Sequence, residues 1–196
     1  MIRDPDSFNI LLDTIARFVR ERLIPSEQQV ADTDEIPADI LKEMRGMGLF
    51  GLTIPEQYGG LGLTMEEEVL VSMALCRASP AFRSIVGTNN GIGSQGIVID
   101  GTEEQRRSYL PRLASGELIG SFALTEPGAG SDAGALTTTA QRDGEHYVLN
   151  GAKRYITNAP EAGVFTVMAR TDLKSKDAGG VSAFIIEKGM PGLGFG

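Results

Sequence analysis

The chain has one cysteine, Cys76, one histidine, His146, and no tryptophan among its 196 residues. A single cysteine closes no internal disulfide, and one cysteine with one distant histidine supplies no cluster of zinc ligands. Cys76 lies in an apolar run and is expected to pack as a small hydrophobe. Cationic side chains are also in deficit: 18 Lys and Arg stand against 26 Asp and Glu, for a formal charge of −8. That balance argues against a nucleic-acid partner, which needs clustered Lys and Arg to neutralise phosphates, and Lys174-Ser-Lys176 is too small a cluster to change it. No apolar run approaches the ~20 residues of a membrane span. The segment from Met1 to Ser7 lacks the basic-then-apolar layout of a signal peptide. These absences lead to the expectation of a soluble, cytoplasmic chain with no membrane partner, and 41% hydrophobic residues suffice for one large core or two small ones.

The chain reads as helical up to residue 117 and as β from 118 onward. Ser7 can cap a helix whose Phe8, Leu11, Leu12, Ile15 and Phe18 recur at three- and four-residue steps, with Arg17, Arg20 and Arg22 on a solvated face. A second helix is predicted from Pro37, through Ile40, Leu41 and Met44, to near Gly48. Thr64-x-x-Glu67 forms a capping box ahead of Val69, Leu70, Met73 and Ala74, with Met47, Met65 and Met73 read as core. Residues 80–101 mix apolar residues with Asn89-Asn90-Gly91 and Gly93, which suggests one or two helices interrupted by a glycine-permitted bend. Thr102-x-x-Gln105 is a second capping box, and Tyr109, Leu110 and Leu113 follow at helical spacing. Pro111 there is expected to kink or end the helix.

Strand signals follow over 118–125, 137–142, 146–151, 153–157, 164–171 and 181–187, with a polar loop over 171–180. The fold class is therefore α+β: an all-α domain over 1–117, then an antiparallel β-barrel domain over 118–196 that looks incomplete at its C-terminal end. The first apolar run leads into Leu124-Thr-Glu-Pro-Gly-Ala-Gly-Ser-Asp132. Its glycines permit close ligand approach and positive φ, and Thr125 and Ser131 add hydroxyls, which suits a phosphate-bearing ligand. The spacing Gly128-x-Gly130-x-x-Ala133 fits a relaxed dinucleotide fingerprint, but strands and turns follow where that fingerprint requires a helix.

Taken with Asn150-Gly-x-Lys153-x-Tyr-Ile-Thr-Asn158, that motif resembles the acyl-CoA dehydrogenases. The resemblance runs along the whole chain and includes the segment from Gly101 through Tyr109-Leu-Pro-x-Leu113 to Gly116-Glu117. It implies a helical N-terminal domain, a β-barrel middle domain and a further helical C-terminal domain beyond these residues. It also implies an FAD cofactor, an acyl-CoA substrate, an electron-transfer flavoprotein or similar acceptor, and a homotetramer in full-length members. By similarity Phe122, Leu124 and Thr125 contact flavin or substrate. Gly130 and Ser131 meet the FAD pyrophosphate region, and Ser131 also faces the CoA chain. Tyr155 packs on the ring face away from substrate, where relatives commonly carry tryptophan, and Ile156 and Thr157 lie along the ring edge near N5.

The implied reaction is α,β-dehydrogenation, with hydride transfer to flavin N5 and a carboxylate base supplied by the C-terminal domain. No catalytic residue is assigned within these 196 residues, so the chain alone is expected to be inactive. Glu126 reads as an acceptor of N–H groups or a solvated turn residue rather than a base, and His146 as a surface hairpin residue. Alternatives are a non-catalytic remnant or interaction protein that retains the fold, or a flavoenzyme resembling the acyl-CoA oxidases or nitroalkane oxidases. Cofactor-linked chemistry of this kind rests on donors that stabilise charge developing on the flavin.

Overall fold

The computed structural model describes residues 2–196. They form two compact units, one ending at Leu118 and one running Ile119–Gly196. In the first unit, α1 (Pro5–Phe18) begins where the Asp4 carboxylate accepts the Ser7 N–H at 3.2 Å. The cap is thus Asp4 rather than Ser7, because Pro5, with its φ preset and no N–H to satisfy, takes the first helical position. Phe8, Ile15 and Phe18 are buried as their spacing predicts. The chain then continues through a five-residue π-helical turn, Val19–Leu23, into α2 (Ile24–Thr33). Hydrophobic periodicity does not reveal α2, because Val30 is its one buried residue. Arg22 is not simply solvated: it donates to Glu43 at 2.8 Å and to Asp39 at 2.7 Å, tying the turn to α3 (Ala38–Gly46).

The capping box of α4 (Met65–Leu75) forms, with Thr64 N–H donating to Glu67 Oε2 at 2.7 Å. The buried face, however, is Glu67, Val71 and Leu75. Met65 and Met73 are 73% and 63% exposed, Val69 is 49% exposed, and Cys76 is exposed, contrary to the core placement expected for both methionines and for the cysteine. The cause lies in the cap. Glu67 is held inward by Thr64 and by the Arg3 backbone N–H at 3.0 Å. Residues 71 and 75 follow at four-residue steps on that same side, so 65, 69 and 73 turn outward.

The segment after α5 (Pro80–Thr88) bends at Gly91, whose ψ of −111° lies outside the helical region, before α6 (Gln95–Asp100). Two buried amides hold this bend. Asn89 Nδ2 donates to the carbonyls of Phe50 (2.8 Å) and Leu113 (3.1 Å), and Asn90 Nδ2 to those of Leu49 (2.7 Å) and Val86 (2.8 Å). The two amides thereby tie the bend to the carbonyls of Leu49, Phe50 and Leu113 as well as to the end of α5. The last helix, α7 (Glu103–Ser115), has its capping box and runs through Pro111 to Ser115 without ending there. Leu110 and Leu113, both fully buried, anchor it on either side of the proline.

The second unit is a five-stranded sheet: β1 (Gly120–Ala123), β2 (Thr139–Asp143), β3 (His146–Asn150), β4 (Val164–Arg170) and β5 (Val181–Glu187). The α+β expectation holds, but the sheet is mixed rather than purely antiparallel. β4 is its centre, with β5 antiparallel on one edge. Its other edge is shared: β1 pairs parallel with residues 164–167, and β2 joins parallel at Thr139 and Arg170. The chain therefore leaves β4 after Ala123 and returns to the same edge at Thr139. The intervening loop, 124–138, contains no α-helix, only a 3-10 turn at Ala133–Ala135. The hairpin β2–β3 forms as expected, with Arg142 and Tyr147, and Asp143 and His146, paired across it.

Residues 153–157 are not a strand. Tyr155 and Asn158 adopt left-handed conformations, with φ of 57° and 66°, which no strand tolerates. Ile156 packs against the sheet cluster of Ala123, Ala162, Phe165 and Val167.

Core and surface substitutions should separate cleanly in denaturant unfolding of this chain. Phe82, fully buried, should cost about 3 to 5 kcal/mol as Phe82→Ala. Met73→Ala on the exposed face of α4 should stay within about 0.5 kcal/mol of the parent, apart from helix propensity.

Candidate functional site

The loop 124–138 has a narrow neck, set by geometry already present in the sheet: Ala123 pairs with Val167 and Thr139 with Arg170 on the one edge of β4. Inside that neck lies the carboxylate of Glu126, 5% exposed. Its Oε2 accepts the Thr137 N–H at 2.6 Å and the Thr137 hydroxyl at 2.7 Å. Its Oε1 accepts the Thr138 N–H at 2.9 Å and the Lys153 ammonium at 2.8 Å. Burial alone pushes this carboxyl up, but the hydrogen bonds from Lys153, Thr138 and Thr137 outweigh it and hold the group at about 2. Four donors on one carboxylate leave it little capacity to take a proton from anything else, so the acceptor reading of Glu126 is the one the geometry supports.

Lys153 extends the same knot. Its ammonium also donates to the Leu124 carbonyl at 3.0 Å, while the Arg154 N–H donates to the Thr125 carbonyl at 2.8 Å. Further along, the Ser121 hydroxyl donates to the Thr157 carbonyl at 2.6 Å. Residues 153–157 are thus laid beside 121–125 by three bonds, two of them from side chains. Just before this segment, Gly151 runs so close to Thr138 that a Cβ there would collide with it. On the far side of the loop, Arg170 is buried at 8% exposure. It donates to the carbonyls of Gly134 (2.5 Å), Leu136 (3.2 Å), Ser175 (2.9 Å) and Asp177 (3.0 Å), bridging this loop to 172–177.

Of the residues singled out by sequence, Leu124, Thr125, Tyr155 and Thr157 are brought together by this bonding, with Phe122 next to Ser121 on β1. Ile156 turns toward the sheet core, while Tyr155 is 77% exposed and Thr157 is also exposed. Gly130 and Ser131 stand further out on the exposed part of the loop. A Cβ on Gly128 or Gly130 would meet nothing within 4 Å, so the space beside both backbones is open for a ligand. Neither glycine uses positive φ, contrary to expectation. The left-handed non-glycine residues of this region are Tyr155 and Asn158. A bulky residue at φ 57° costs about 1 to 2 kcal/mol and persists only where neighbouring bonds enforce it.

Sequence reasoning missed Ser121, Lys153 and Arg170 as parts of the site. Lys153 stood in the quoted motif, but its partner is 27 residues away. The deep carboxylate of Glu126 and the buried guanidinium of Arg170 follow no local pattern. Among the described residues, no group of His, Cys, Asp and Glu could hold a metal ion, and no helix is long and apolar enough to cross a membrane.

The Glu126 knot has a pH signature. Its folded pKa of about 2 lies below the unfolded value of about 4.3, so its stabilisation is complete above the unfolded value and is lost as pH falls through the folded one. Glu126→Gln turns an amide N–H toward donors and should lower unfolding free energy by about 3 kcal/mol at pH 7. The gap to the parent, followed by denaturant titration, should narrow steadily from about pH 4 downward. A gap independent of pH would mean that the charge of Glu126 is not its source.

Comparison with known proteins agrees with this architecture. Residues 6–117 match the acyl-CoA dehydrogenase N-terminal domain model, and residues 121–196 match the acyl-CoA dehydrogenase middle domain model. The mitochondrial isovaleryl-CoA dehydrogenase of Pongo abelii is 43% identical over 93% of this chain, which covers 44% of that protein. Among solved structures, a chain from the electron transferring flavoprotein of Acidaminococcus fermentans superposes with a TM-score of 0.92 at 37% identity, covering all of this chain and 52% of that one. An acyl-CoA dehydrogenase from Bacillus anthracis, complexed with FAD, superposes with a TM-score of 0.81 at 39% identity, covering 95% of this chain and 32% of that one. The chain thus spans about half or less of the length of the relatives it matches. With two adjoining family models over nearly all of its residues, this chain belongs to the acyl-CoA dehydrogenase family.

Proposed function

We propose that these residues are the flavin-binding part of an acyl-CoA dehydrogenase that introduces an α,β double bond into an acyl-CoA thioester. The observation that carries the reading is Tyr155: an aromatic ring, 77% exposed, on a left-handed backbone that the bonds at Thr125, Leu124 and Thr157 enforce. Exposed aromatic area held in a strained conformation suits a stacking platform for a planar ligand. Open backbone at Gly128 and Gly130, with the exposed hydroxyl of Ser131, suits a pyrophosphate and the CoA chain. FAD, which a solved relative holds, fits this set, and when bound it supplies the two-electron acceptor. Phe122, Leu124 and Thr125 would flank the flavin or the acyl thioester, Gly130 and Ser131 would meet the phosphates, and Thr157 would lie along the ring edge. Ile156 contributes from beneath, as packing that supports the segment.

The α-proton goes to a base outside these 196 residues. Glu126, the carboxylate inside the motif, is committed to four donors and is far too acidic to take a proton from carbon at neutral pH. Electrons leave to an electron-transfer flavoprotein or a similar acceptor.

Titrating the 196-residue chain with FAD should shift and quench the flavin spectrum with saturable, stoichiometric binding. Adding short- and medium-chain acyl-CoA thioesters should then leave the visible flavin band unbleached. Failure to bind FAD sinks the flavoprotein reading. Bleaching by this chain alone sinks the assignment of the base to residues outside it.

A further inference from the structure

Tyr155 is not a bare ring. The guanidinium of Arg154 lies over it, with Cζ 4.7 Å from the ring centroid, so one face of the tyrosine carries a cation while the residue stays 77% exposed. The contact is built by the backbone. Arg154 N–H is fixed on the Thr125 carbonyl at 2.8 Å, and the left-handed φ of Tyr155 folds the next side chain back beside its neighbour. The Arg154 side chain is itself on the surface. A cation on one face draws on the ring's quadrupole and makes the opposite face less electron-rich.

We infer that Arg154 is a positioning and tuning residue that acts through Tyr155: it blocks one face of the ring, leaves the other as the stacking surface, and favours a stacked isoalloxazine more when that ring is electron-rich than when it is oxidised. This rests on the reading of Tyr155 as the flavin platform. It gives the chain a device suited to a tyrosine at this position, because the smaller ring offers less area to stack than an indole but is backed by a fixed positive charge. The consequence is directional. Arg154 raises the midpoint potential of bound FAD and contributes little to binding of oxidised FAD, since the side chain reaches the ligand only through the intervening ring.

The test uses the full 196-residue chain with FAD as the probe, in four forms: unaltered, Arg154→Met, Arg154→Lys and Tyr155→Leu. Affinity for oxidised FAD is read by fluorescence titration, midpoint potential by equilibration with a reference dye, and folding by thermal unfolding. Arg154→Met should keep its fold and bind oxidised FAD within about twofold of the parent. Its affinity for reduced FAD should fall about two- to fivefold, the range an exposed cation–π contact supports, which at about 30 mV per decade for two electrons lowers the midpoint by about 10 to 20 mV. Arg154→Lys, which keeps the charge, should recover part of that shift. Tyr155→Leu should weaken oxidised FAD itself.

An unchanged potential in Arg154→Met, with Tyr155→Leu impaired, overturns the inference and leaves the flavin platform standing. So does a lysine variant no better than methionine. Unimpaired FAD binding by Tyr155→Leu, or no FAD binding by the unaltered chain, removes the platform and the inference together.

Discussion

The second unit is organised by one carboxylate. β1 and β2 share an edge of β4, so the chain between them must leave and return through an opening only a few residues wide. An excursion of this kind has an open neck unless something closes it, and backbone pairing cannot, because 124–138 has no regular partner strand. Glu126 closes it by accepting four hydrogen bonds, and its Lys153 partner carries the closure across to the segment that holds Tyr155. A salt bridge with one side chain 3% and the other 12% exposed would be a poor source of stability by itself, since desolvating both charges is costly. Here the carboxylate recovers three further donors and the ammonium a carbonyl, so the pair's worth lies in fixing one loop geometry.

The same bonds explain how a strained tyrosine survives. Left-handed φ costs little at Asn158, but at Tyr155 it is strained and needs support from its neighbours. The segment is held at Leu124, Thr125 and Thr157, and underneath by Ile156 in the sheet cluster. Alternating inward and outward residues at 155, 156 and 157 look like a strand in sequence. In the structure the alternation comes from a turn: the core takes the isoleucine and the two polar-tipped neighbours are left facing out.

Much of the helical half was legible because its signals are local. Both capping boxes and the buried stripe of α1 follow from residues three or four apart, and Gly91 and Gly93 signalled a bend without fixing its position. What escaped was α2, where a polar sequence offers no period, and the facing of α4, where apolar residues occupy two sides and a buried Glu67 decides between them. In the second unit the five strands were legible, but 153–157 was a false sixth and strand direction was not readable. Alternation reports which residues share a face and is silent on whether neighbours run parallel. The functional motif was legible as a motif, whereas its construction depends on pairs such as Glu126 with Lys153 and Arg170 with Gly134, 27 and 36 residues apart, which no local rule connects.

These constraints also divide the chemistry. A carboxylate that must close the loop at all working pH values has to stay ionised, and the donors that keep it so make it a feeble base. A carboxylate that must take a proton from carbon needs the opposite surroundings, few donors and a raised pKa. One group cannot meet both demands, so on the proposed reaction Glu126, which shapes the loop, is not the proton acceptor. On the function proposed above, the loop is left with the task that fixed donors and an exposed ring suit, holding a flat, phosphate-bearing ligand in one orientation.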